Sequence, residues 1–212
     1  MRLVFDGSLK TRWGQSLNQC LYRGPPMVPD LVGVLLRFRK SHFVMLADIE
    51  KAFLQVGLNK SDREVTRFLW VKDVNLPPEG KNLVVLRYCR VLFGLVSSPF
   101  LLAAVLEYHL KKSKSPIAEK LKENLYVDNL LLTSNNLDEA KIWYCETKAI
   151  FKEAQMNLRE FFCNVEDIQN EIPEGDRQTG PFVSVLGLNW DTKEDKILMK
   201  TKGWVSERVT KD

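Results

Sequence analysis

Two aspartates, Asp48 and Asp128, stand where carboxylates could hold metal ions. Asp48 follows Phe43-Val44-Met45-Leu46-Ala47, an apolar run suited to a buried strand that Asp48 would terminate. Asp128 comes 80 positions later, between Leu125-Tyr126-Val127 and Leu130-Leu131-Leu132. Two carboxylates projected from a sheet edge can hold a pair of Mg²⁺ ions about 3.5–4 Å apart, which activates an attacking hydroxyl and stabilises the leaving oxygen in phosphoryl transfer. Aspartates at strand ends also serve as turn residues and caps, and spacing alone leaves both readings open.

Other metal chemistry has less support. Cys20, Cys89, Cys145 and Cys163 are far apart with no CxxC pair, and only His42 and His109 could add imidazole ligands. The expectation is neither zinc nor a disulfide framework, with the cysteines acting as small buried hydrophobes.

The elements that must position Asp48 and Asp128 follow from periodicity and punctuation. Asp128-Asn129 is expected to be the polar two-residue tip of a hairpin, because Asp and Asn tolerate the positive φ such a tip needs. Upstream, Asp62 to Arg67 reads as a short helix. Arg67 to Val71 and Leu83 to Val91 read as strands joined across Pro77-Pro78-Glu79-Gly80. Phe100 to Leu110 is apolar nearly all round and Ala/Leu-rich, which predicts a buried helix ending in Lys111-Lys112-Ser113-Lys114. Asn136 or Asp138 can cap a helix running to about Gln155, residues 170–181 read as loop, and Val185 to Trp190 with Lys196 to Met199 form a second candidate hairpin. Strands and helices with antiparallel pairs predict an α+β fold, a sheet layered by helices.

Composition bounds the class. The 212 residues are 45% hydrophobic, enough for one substantial core, and no stretch approaches the roughly 20 apolar residues that span a bilayer. No membrane association and an intracellular setting, cytoplasmic or particle-associated, are expected. The net charge of +4 is uneven: residues 1–123 carry 20 basic against 11 acidic side chains and residues 124–212 carry 11 against 16. The basic portion could face a polyanion or be a solvated mixed-charge surface.

Longer motifs carry a resemblance. Leu46-Ala47-Asp48-Ile49-Glu50-Lys51-Ala52-Phe53 resembles the first catalytic motif of reverse transcriptases, and Tyr126-Val127-Asp128-Asn129 resembles their catalytic hairpin. Phe93-Gly94-Leu95-Val96-Ser97-Ser98-Pro99-Phe100 is similar to the motif lining the nascent base pair. Arg2-Leu3-Val4-Phe5-Asp6 with Leu17-Asn18 resembles the triphosphate-contacting fingers segment, and Val185-Leu186-Gly187-Leu188 is similar to the primer grip. Ser16-Leu17-Asn18, Leu31-Val32-Gly33-Val34-Leu35, Asp48-Ile49-Glu50-Lys51-Ala52-Phe53 and Met156-Asn157-Leu158-Arg159-Glu160 resemble the Bel/Pao type of LTR retrotransposon in particular.

The resemblance implies an RNA-directed DNA polymerase: a reverse-transcriptase palm, a ferredoxin-like βαββαβ sheet with packed helices, plus partial fingers. Residues 1–42 would be partial fingers, 43–190 the palm with a fingers-like insertion at about 60–92, and 191–212 the start of a thumb or connection. Asp48 and Asp128 would hold Mg²⁺ or Mn²⁺ beside Asn129, while a primer 3′-hydroxyl on an RNA or DNA template attacks a dNTP. Arg2 would contact the triphosphate, Phe53 would exclude a ribose 2′-hydroxyl, and Gly94 would let the backbone approach the base pair. Tyr126 would pack beneath the hairpin. Arg159 and Lys152 are candidates for protonating the leaving pyrophosphate, or are surface cations.

Two departures stand out. Asn129 replaces the second Asp of most such hairpins, removing one negative charge while leaving a carbonyl that can accept from metal-bound water. Fewer than 50 residues precede Asp48 and little follows Trp190, so a fragment of weak or no activity is expected, with a non-catalytic nucleic-acid-binding remnant as the alternative.

Overall fold

A computed structural model of the chain describes residues 5–12, 14–178 and 183–198. Arg2 lies outside the described residues. In chain order the elements are α1 (Leu17–Cys20), α2 (Leu31–Lys40), β1 (Phe43–Ile49), α3 (Ala52–Gln55), β2 (Arg67–Val71), β3 (Leu83–Arg87), α4 (Ser98–Lys112), α5 (Ile117–Asn124), β4 (Leu125–Tyr126), β5 (Asn129–Ser134), α6 (Leu137–Glu153), β6 (Leu158–Cys163), α7 (Glu166–Glu171), β7 (Val183–Val185), β8 (Leu188–Asp191) and β9 (Lys196–Leu198).

A four-stranded antiparallel sheet in the order β4-β5-β1-β6 organises the molecule. Its central strand β1 is apolar on both faces because both are covered. Met45, Ala47 and Ile49 face a core built with α4, α5 and α6, in which Leu102, Leu106, Leu121, Trp143 and Phe151 are buried. Val44 and Leu46 face the opposite way, onto Val34 and Phe38 of α2 and Val183, Val185 and Trp190 of the small β7-β8-β9 sheet. Each large apolar side chain so buried stabilises the fold by roughly 1.5–3 kcal/mol before conformational entropy is set against it.

Local signals explain several boundaries. Asn136 caps α6, its side chain accepting from the backbone N–H groups of Asp138 and Glu139. Asp30 caps α2 in the same way, accepting from Gly33 N at 2.6 Å, and the i, i+4 pair Val34 and Phe38 docks that helix. Neither α2 nor α5 was expected from the sequence, although Asp30 and the Ile117/Leu121 pair are their signatures.

Other expectations are corrected. The Asp62–Arg67 helix is a 3₁₀ segment over Lys60–Thr66. The second strand of the next hairpin stops at Arg87, not Val91. The long helix α4 is buried on one side only: Ser98, Leu102, Leu106 and Leu110 form its buried stripe, while the apolar side chains of Val105 and Tyr108 on the other side are exposed. Residues 170–181 were expected to be loop, yet α7 extends to Glu171 and a 3₁₀ turn covers Glu174–Asp176. The Val185–Trp190 strand is broken at Leu186-Gly187, both at positive φ, making β7 and β8 a tight hairpin of their own. Met199 lies outside the described residues. Among the cysteines only Cys163 is buried; Cys20 on α1, Cys145 on α6 and Cys89 in the segment after β3 are exposed.

Candidate active site

The β1–β5 pairing brings the sequence-predicted carboxylates to one end of the central sheet. Asp48 lies directly opposite Asn129, and Ile49 N donates to the Asp128 carbonyl at 2.8 Å. Asp48 does not terminate β1, which continues through Ile49, and it stands on a central strand rather than at a sheet edge. Its side chain points to the face that holds Val44 and Leu46.

The hairpin tip is shifted by one residue from the expected Asp128-Asn129. Leu125 pairs with Leu130 and Tyr126 with Asn129, so the two tip residues are Val127 and Asp128 and Asn129 belongs to β5. The positive φ, +59°, falls on Val127. For a β-branched residue that conformation is strained, at a cost of order 1–3 kcal/mol, and it holds Asp128 at the turn. Asn129 Nδ2 donates to Asp128 Oδ1 at 2.9 Å.

The third strand of the site is bent to reach it. Between Leu46↔Phe162 and Asp48↔Arg159 the pairing with β6 slips by one residue, and Glu160 takes φ +53° as the extra residue of a β-bulge. Leu158 and Phe161 are therefore both buried in the helix-covered core although they are three apart, and Arg159 comes round to the face of Asp48. A row Asn129–Asp48–Arg159 crosses three strands. Arg159 Nε lies 4.0 Å from Asp48 Oδ2, and Arg159 Nη2 lies 3.3 Å from Glu160 Oε1. Lys152, at the C-terminal end of α6, is exposed and makes no such approach.

A pocket of about 120 Å³ opens here, lined by Asp48, Asn129, Glu160, Gln178, Ser184 and Leu186 among others. Glu160, Gln178 and Ser184 are not among the residues that the sequence singles out, whereas Leu186 belongs to the segment resembling a primer grip; the three-residue spacing of Leu158 and Phe161 is the signal that could have exposed the bulge. The Asp48 carboxyl is pushed up to about 6, first by burial and then by the negative charges of Asp128 and Glu160, with Arg159 opposing and Glu50 adding slightly. Glu50 itself is held below the usual range by hydrogen bonds, Asn157 Nδ2 donating at 3.1 Å.

The two remaining predicted residues that the structure describes, Phe53 and Gly94, are engaged within the protein. Phe53, on α3, is buried and meets Phe93 edge-to-face at 4.6 Å between ring centres. Gly94 has φ +89°, and a Cβ there would sit 2.7 Å from the Phe5 carbonyl oxygen, so the chain's own N-terminal segment occupies that side. Asn18 clamps the same loop: its Nδ2 donates to Gly94 O at 2.8 Å and its Oδ1 accepts from Val96 N at 3.0 Å. Tyr126 is half-buried on β4, paired with Asn129.

The donor set suits a hard divalent cation: oxygen donors from two carboxylates, crowded enough that one resists ionisation. Among the described residues no group of three or more His, Cys, Asp or Glu side chains could hold a metal ion. A carboxylate pair fits Mg²⁺, which is commonly bound through one or two carboxylates plus substrate phosphates.

Comparison with curated proteins finds no match. The family model of the reverse transcriptase (RNA-dependent DNA polymerase) matches residues 6–166, a span that includes Asp48, Phe53, Gly94, Asp128, Asn129 and Arg159. Members of this family bind a primed template and dNTPs and generally use divalent metal ions. A match over well over half of the chain, with a mixed α/β fold of antiparallel sheets that carries both motif aspartates to one end of a sheet, shows that the protein belongs to the reverse transcriptase family.

Proposed function

We propose that this chain is the catalytic portion of an RNA-directed DNA polymerase of the Bel/Pao retrotransposon type, adding dNTPs to a primer 3′-hydroxyl by two-metal phosphoryl transfer. The observation that carries this reading is the approach of Asp48 and Asp128 at the end of β1 and the β4–β5 hairpin. The order β4-β5-β1-β6, reached by strand, helices, strand, strand, helix, strand, supports the reading of this sheet as a ferredoxin-like palm. The separate β2–β3 sheet would then be the fingers-like insertion.

Asp48 and Asp128 would hold Mg²⁺ or Mn²⁺, which when bound lowers the pKa of the attacking hydroxyl and neutralises charge on the phosphate. The protein's own contribution is positional. The ladder from β1 to β5 fixes the separation of the two carboxylates, and the Asn129 amide orients Asp128. Phe53 and Phe93 form the apolar wall next to α3 against which a sugar would rest, and the Asn18-clamped loop supports the base pair. Arg2 would reach the triphosphate from the N-terminal segment.

Asn129 favours a second reading, a nucleic-acid-binding remnant without turnover, because it leaves the hairpin one carboxylate short. Primer extension on an RNA template in Mg²⁺ and in Mn²⁺ separates the two. Weak extension by wild type and none by Asp48→Ala is expected. Folded, template-binding protein that extends no primer in either metal would leave only the remnant.

A further inference from the structure

We propose that Arg159 is the internal counter-ion of Asp48, a positioning residue that balances this carboxylate and yields to a divalent cation. The inference rests on the reading of Asp48 and Asp128 as the metal-holding pair.

The bulge in β6 is what delivers Arg159. With regular alternation Glu160, whose charge already acts on Asp48 from nearby, would itself stand directly opposite Asp48. The extra residue at Glu160 puts Arg159 opposite instead, on the face shared by Asp48 and Asn129. Cross-strand neighbours on one face stand within about 5 Å at Cβ, so the guanidinium has little choice of partner.

Its contacts are those of a counter-ion held in reserve. Nη2 is 3.3 Å from Glu160 Oε1, so the guanidinium spans two acids. Nε is 4.0 Å from Asp48 Oδ2, a Coulombic contact too long for a hydrogen bond. That Nε is buried and has no hydrogen-bond acceptor among the described residues. A planar donor fork with one buried N–H unsatisfied is poised between Asp48 and whatever acceptor enters the pocket. A dication at Asp48 would repel the guanidinium and take over its charge balance. Arg159 thereby lowers metal affinity while offsetting the negative charge of Asp48 and Glu160. Its side chain is 42% exposed, so solvent moderates the effect.

The test is Mn²⁺ binding, read as loss of the free-ion electron paramagnetic resonance signal, with far-UV circular dichroism confirming the fold. Arg159→Gln and Arg159→Met remove the charge, the latter keeping an apolar stem; Arg159→Lys keeps the charge without the fork. Both neutral variants should bind Mn²⁺ roughly five- to tenfold more tightly than wild type, and Arg159→Lys within about twofold of it. Unchanged or weaker binding in the folded neutral variants overturns the proposal. Asp48→Asn distinguishes the underlying reading: if it binds Mn²⁺ as wild type does, Asp48 holds no metal and the counter-ion role falls with it. Weakened binding in Asp48→Asn without tightening in the Arg159 variants removes the counter-ion role alone.

Discussion

Asn129 donates its side-chain amide to the carboxylate of Asp128 at 2.9 Å. An ionised Asp at position 129 has no proton to give, so the departure from the family's Asp-Asp hairpin exchanges a charge for an orienting hydrogen bond. The residue also sits opposite Asp48, where a further carboxylate would add to the repulsion already raising that group.

Asn129→Asp should therefore destabilise the metal-free protein by about 1 kcal/mol at pH 8, through the lost hydrogen bond and the added like charge. Added Mg²⁺ should raise its melting temperature more than it raises that of wild type. Thermal melts in EDTA and in Mg²⁺ read both effects, and an equal Mg²⁺ response in the two proteins would count against the metal site.

Asp48 predicts a pH dependence of definite sign. Its carboxyl lies at about 6, above the ordinary 3.8, because of burial first and the charges of Asp128 and Glu160 next. A raised acid is favoured in its protonated form in the fold, so its stabilising contribution is complete below 3.8 and lost as pH rises through 6. The loss is at most about 3 kcal/mol. In urea melts with EDTA, Asp48→Asn should be more stable than wild type at pH 7.5 and the difference should vanish by pH 4. A constant difference would place the origin elsewhere.

Phe53 separates core packing from sugar selection. Phe53→Val empties part of a contact buried against Phe93 and should cost about 2 kcal/mol. If Phe53 also bounds the sugar, the ratio of kcat/KM for rNTP to that for dNTP should rise at least about tenfold. A stability loss with an unchanged ratio would make Phe53 a core residue only.

Asn18→Ala removes both hydrogen bonds to the 94–96 loop together with a third to Ser8, leaving Gly94 O and Val96 N without those partners. A loss of about 2 kcal/mol is expected. Gly94→Ala should cost a similar amount, through its positive φ and the Phe5 carbonyl. Hydrogen exchange should show faster opening across residues 5–18 in both variants, whereas slowed or unchanged exchange would show that the clamp does not hold the segment.

The sequence by itself determined the elements whose signals are local: the apolar run of β1, the cap at Asn136, the helix after Pro99, the β4–β5 hairpin and the motifs around Asp48 and Asp128. Each depends on residues a few positions apart, and propensity, capping and alternation act over that range. Only tertiary structure decided the rest. The hairpin tip moved to Val127-Asp128 because pairing with β1 sets its register, overriding the preference of Asn for positive φ. The pairing of β6 with β1 carries a bulge at Glu160, and in a strand one extra residue exchanges the two faces. That exchange placed Arg159, not Glu160, opposite Asp48, and no local property of either residue distinguishes the two outcomes.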